Sequence, residues 1–121
     1  MLLKRMEDEL PRALEQMREH GKKVGHWAWW AFPTELQGQS EPGFPTNVTK
    51  GTAAEVLARA PKVWRQTLEC VCELAKKKGK RVLPSIDHGR VSFFVRFWAE
   101  VDESPPWMRK VLRVLKPIYG G

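Results

Sequence analysis

The chain has little with which to cross-link itself or to cross a bilayer. Cysteine occurs only twice, at Cys70 and Cys72. On a helix, residues two apart face different ways, so these two cannot readily bridge. Two thiols without a second pair or a matching histidine make a poor zinc site, and no metal is expected. Both read as reduced, structural thiols of a cytoplasmic protein. No apolar run approaches the roughly 20 residues that span a hydrocarbon core. The opening MLLKRMEDEL offers two leucines before charge intervenes, so no signal peptide is expected. The sequon Asn47-Val48-Thr49 then carries no meaning for glycosylation. Acidic residues are outnumbered, 14 against 21 lysines and arginines, for a formal charge of +7. That surplus suits nucleic acid, an anionic membrane or a phosphorylated ligand, and equally suits a plain solvated surface.

Tryptophan, by contrast, is abundant. Six indoles in 121 residues, with 42% hydrophobic content, are enough to dominate the core of one domain. Three of them fall in the stretch GHWAWWAFPT, residues 25–34.

Periodicity predicts helices along most of the chain. Leu10, Ala13, Leu14 and Met17 form one face of a helix over 9–20, capped by Asp8, with Pro11 in its first turn and Gly21 at its end. Residues around Trp27–Ala31 predict a short helix that Pro33 terminates, with an alternating strand as the competing reading. Residues 34–50 predict a long loop. TAAE at 52–55 has the form of a capping box for a helix to Ala60, which Pro61 interrupts. A helix over 62–78 buries Trp64, Leu68, Val71 and Ala75, carries lysines in its last turn and stops at Gly79. VSFFVRFW has strand-like residues, but Val91, Phe94, Val95 and Trp98 repeat at helical spacing, which favours a helix over 88–101 capped by Asp87. Ser104 and Pro105 open a last helix, with Val111, Leu112 and Leu115 on its buried face and Pro117 closing it. The expected fold class is all-α, a compact bundle of five or six short helices around a tryptophan-rich core with one long loop. The whole chain, 1–121, forms one domain.

Several stretches, taken in order, resemble one family. ELPRALEQMREHGKKVGHWAWWAFP starts a helix with an acidic residue and proline, passes through glycine and basic residues, and runs from His26-Trp27-x-Trp29 into Phe32-Pro33. Gly38 and Ser40 follow, then a helix pair around a proline in AAEVLARAPKVWRQTLECVCEL, then IDHGRVSFFVRFW. This pattern resembles the domain-of-unknown-function-1810 family, small and mainly helical proteins sometimes labelled calpastatin-like. The resemblance covers residues 8–98 and makes 99–121 a helical extension. Thr34 stands where that family often has glutamine, and the loop at 38–50 is richer in proline. The resemblance implies a helical fold and brings no activity with it.

The leading candidate site is the patch Lys22, Lys23, His26, Trp27, Trp29 and Trp30. Indole faces stack on flat rings, a lysine beside them can hold a phosphate, and His26 can hydrogen-bond a ligand. The competing reading makes Trp27 and Trp30 core and gives His26 a carbonyl to hold. Three indole N–H groups each need a partner if buried, which a cleft supplies more simply than a dry interior. Arg90, with His88 and Ser92 near a helix start, forms a second candidate, an anion site. Ser40 and Glu41 can enter a cleft from the loop. The residues expected to contact ligand are Lys23, His26, Trp27, Trp30, Ser40 and Arg90; none is assigned a catalytic role, and no cofactor is implied. The first expectation is a small binding protein for a phosphate-bearing aromatic metabolite, such as a nucleotide or an ADP-ribose-like compound. The second is a nucleic-acid-binding or adaptor domain using the run KKKGKR, Lys76 to Arg81. The third is an enzyme acting on a nucleotide-derived bond, for which nothing in the sequence brings Ser40 to His26. No membrane partner is expected, and the oligomeric state is left open.

Overall fold

A computed structural model describes residues 2–34 and 48–120. Among them the secondary structure is entirely helical: α1 (Leu2–His20), α2 (Ala28–Ala31), α3 (Lys50–Arg59), α4 (Lys62–Lys78), two 3₁₀ turns at Gly79–Val82 and Ser85–Asp87, α5 (His88–Ala99) and α6 (Pro106–Tyr119). The strand readings at 26–31 and 91–98 are thereby excluded. Helix α4 lies at the centre, with α1 and α6 packed against it, while α5 packs on α6 and α2 on α1.

Helix α1 is longer than its sequence suggests. It begins at Leu2 because Leu2 and Met6 extend the buried stripe of Leu10, Ala13, Leu14 and Met17 back by two turns. Pro11 therefore lies inside the helix on its exposed face, where water can serve the carbonyl that the missing N–H leaves free. Asp8 does not cap; its carboxylate sits 3.3 Å from Lys4 Nζ one turn earlier. Gly21 follows the helix at φ +69°, as its sequence predicts.

Helix α3 also starts early. Thr49, not Thr52, is its N-cap, and Thr52 Oγ1 accepts the Thr49 N–H at 2.9 Å. Helix α4 has the predicted bounds, with Trp64, Leu68, Val71 and Ala75 all buried. Gly79 ends it at φ +74°, ψ −152°, a conformation that side chains avoid.

Helix α5 buries the predicted face of Val91, Phe94, Val95 and Trp98, together with Arg90 and Phe97. Asp87 precedes it without a side-chain capping bond. Ser104 likewise makes no cap for α6; its hydroxyl donates to Trp98 O at 2.7 Å, and Pro105 occupies the N-cap position. Pro117 does not close α6, which continues to Tyr119, with Gly120 at φ +93° beyond it.

The core is an aromatic chain. Phe32 meets Phe94 edge-on at 5.4 Å, Phe94 lies 6.2 Å from Trp98, and Trp98 lies 5.6 Å from Trp64, which meets Trp107 at 5.6 Å. The Phe32–Phe94 and Trp64–Trp107 pairs are edge-to-face, an arrangement that contributes about 0.5–1.5 kcal/mol beyond the area it buries.

Candidate functional site

The segment 27–34 has a backbone problem that explains most of what surrounds it. Helix α2 is a single turn that Pro33 prevents from continuing, so beyond Ala28 O, which accepts the Phe32 N–H at 2.8 Å, the carbonyls from Trp29 to Pro33 have no local helical donor. The same residues are buried: Ala28, Ala31, Phe32 and Thr34 all lie inside. A buried carbonyl without a donor costs about 1–3 kcal/mol, and here three distant side chains supply the donors. Arg90 Nε donates to Phe32 O at 3.0 Å and its Nη2 to Trp29 O at 3.2 Å. The Trp64 indole N–H donates to Ala31 O at 3.0 Å. The Trp98 indole N–H donates to Pro33 O at 2.8 Å. Four of five successive carbonyls are thus stapled by α4 and α5. The positive guanidinium also suits the negative C-terminal end of a helical turn.

This arrangement assigns most of the sequence-stated candidates a place. Trp27 is buried, with its indole N–H donating to Val24 O at 3.0 Å. Lys23 is buried too. Its Nζ forms an ion pair with Asp87 Oδ2 at 2.7 Å and lies 5.5 Å from the Trp27 ring centre, while its N–H donates to Val82 O. Arg90 sits beneath α2, not at an open anion site, and burial pulls its pKa down to about 10, so it remains a cation at neutral pH. His26 is exposed and makes no hydrogen bond to any described residue, so it holds no carbonyl. Ser40 and Glu41 lie outside the described residues.

His88 is part of a different cluster. Its Nε2 lies 2.8 Å from Leu83 O and 3.1 Å from Lys80 O, and its ring meets Tyr119 edge-on at 5.0 Å. Tyr119 donates its hydroxyl to Lys80 O at 3.2 Å. The pair closes the turn after α4 onto α6.

What remains open at the aromatic end is Trp29 and Trp30. Both are half-buried, and their rings meet edge-on at 5.9 Å. The Arg5 guanidinium lies 5.7 Å from the Trp30 ring centre. Arg5 escapes a reading of the sequence because it stands in the two turns of α1 that periodicity from Leu10 onward does not reach. Trp30 Nε1 and Thr34 Oγ1 are buried and find no hydrogen-bond partner among the described residues. This edge therefore offers a cation, two partly open indoles and, in Trp30 Nε1, a buried donor without a partner among the described residues.

A concavity lies elsewhere, between α4 and α6, a shallow groove of about 250 Å³ lined by Cys72, Trp107, Val111 and Val114 with Glu69, Glu73, Lys76 and Lys110. Burial pushes the Cys72 thiol in it up to about 12, so it stays protonated at neutral pH. Among the described residues no three His, Cys, Asp or Glu side chains gather as metal ligands, and no helix is long and apolar enough to cross a membrane. No family model, no curated protein and no solved structure matches this chain.

Proposed function

We propose that the protein is a small binding module for an anionic aromatic metabolite of the nucleotide or ADP-ribose kind, bound at the Trp29–Trp30 edge of α2. One observation carries the reading. The buried indole N–H of Trp30 lacks an acceptor among the described residues, under a face that Arg5 already makes positive. Buried donors are nearly always satisfied, so a missing acceptor points to something that completes the site. A flat ring against the indoles contributes about 1–3 kcal/mol, and a phosphate gains a charge-assisted bond from the guanidinium. Lys23 and Arg90 then act as scaffold, holding the segment from behind, and neither contacts ligand.

The test is a fluorescence titration with adenosine monophosphate, adenosine triphosphate and ADP-ribose. Quenching that saturates, falls about tenfold in affinity in Arg5→Gln, and weakens in Trp30→Phe supports the site. Absence of quenching and of any thermal shift at millimolar ligand removes it.

A further inference from the structure

Two large apolar side chains among the described residues stand out in solvent: Ile86 at 79% exposure and Val24 at 37%. They are far apart in sequence, yet each adjoins one partner of the same buried ion pair, Lys23–Asp87. The pair therefore brings Val24 and Ile86 to one end of the molecule. The same end collects the basic runs. Lys23 N–H donates to Val82 O, tying the chain after α1 to the turn after α4, and Lys78 Nζ donates to Gly21 O at 3.1 Å. Segments 18–24 and 76–88 hold eight lysines and arginines against two carboxylates, Glu19 and Asp87. Asp87 is neutralised by Lys23, which leaves Glu19 as the one acidic side chain of these segments without an ion-pair partner among the described residues. Lys22, Lys77, Lys78, Lys80 and Arg81 are all exposed.

We propose that this end, with Ile86 and Val24 at its tip and Lys22, Lys80 and Arg81 around them, docks on the surface of an anionic lipid bilayer. An exposed aliphatic side chain ringed by cations matches the boundary between headgroups and acyl chains, where the charges meet anionic lipid and the apolar tip leaves water. Nucleic acid accounts for the cations alone, because a phosphate backbone makes no use of an exposed isoleucine. The expectation of no membrane partner rests on the lack of a spanning segment, and surface docking needs none. The residues proposed to meet the bilayer are not those proposed to meet the metabolite, so either proposal can fail without the other.

Co-sedimentation with vesicles of phosphatidylcholine, alone or with 30 mol% phosphatidylserine, tests the proposal on the full chain. The expected result is partitioning onto the anionic vesicles only. Lys80→Gln/Arg81→Gln lowers it by roughly 25-fold, about fivefold per cation. Ile86→Ser lowers it several-fold while leaving retention on heparin unchanged. Ile86 is so exposed that this variant keeps its fold, which circular dichroism checks. Binding to heparin or to a DNA oligomer without binding to anionic vesicles, or vesicle binding that Ile86→Ser does not alter, overturns the proposal.

Discussion

Single residues carry more than one duty here, and the sequence shows only one of them. Asp87 stands where a helix cap belongs, yet its carboxylate spans the fold to Lys23. Ser104 stands before a proline-led helix, yet its hydroxyl serves Trp98 O. In both cases a local motif is legible and a tertiary partner takes the side chain. Cys72 and Tyr119 give a prediction at this scale. Burial raises both, the thiol from 9.0 and the phenol from 10.0, each to about 12. The unfolded chain therefore releases these protons first as pH rises, and binds fewer protons than the folded one between about pH 9 and 12. Stability is flat below pH 9 with respect to these groups and falls above it. Burial raises the Cys70 thiol as well, so urea denaturation across pH 8–11 should show that decline, Cys72→Ala should make it shallower, and Cys70→Ala/Cys72→Ala should move its onset up toward pH 10, where Tyr119 begins to contribute.

At the scale of elements, the helices with unbroken apolar periods are the ones legible in the sequence. Helix α4 and the buried face of α5 match because Trp64, Leu68, Val71 and Ala75, and Val91, Phe94, Val95 and Trp98, leave one orientation open. The first two turns of α1 are less legible, since Lys4, Arg5, Glu7 and Asp8 crowd around Leu2 and Met6, and Pro11 reads as a start. The role of α2 is not legible at all. Its carbonyls are stapled by Trp64, Arg90 and Trp98, 33 to 65 residues away. Periodicity explains why those side chains are buried, but not which carbonyl each one meets. The geometry of the staple makes Arg90 hard to replace. Lysine carries the charge but cannot aim two donors in a fixed fork at Trp29 O and Phe32 O. Arg90→Lys should cost about 1–3 kcal/mol in urea denaturation, close to the cost of one buried carbonyl left without a donor.

For the whole molecule, the fold decides what the basic and aromatic runs mean. KKKGKR and GKK lie far apart in the chain and meet at one end, so the charge becomes a surface feature instead of two separate helix-end decorations. The indoles divide in the same way. Trp27, Trp64 and Trp98 build the interior, while Trp29 and Trp30 are left at a partly open edge. Lys23 joins the two regions, since its ion pair fixes the segment before α2 against the turn before α5. Lys23→Met should thus act on stability, by about 3–5 kcal/mol, because it leaves the Asp87 carboxylate buried without its cation. A chain in which this substitution lowers ligand affinity but not the denaturation midpoint would place Lys23 in the site instead.

The central physical claim is that long-range donors, two of them indole N–H groups, hold the carbonyls of α2 and of Phe32 and Pro33 that follow it. The indole region of a ¹⁵N–¹H spectrum, followed after transfer to heavy water, reads this directly. The account predicts slow exchange for Trp64 and Trp98, whose N–H groups are buried on Ala31 O and Pro33 O, and fast exchange for the half-exposed Trp107. Exchange of Trp64 and Trp98 as rapid as that of Trp107 would contradict it.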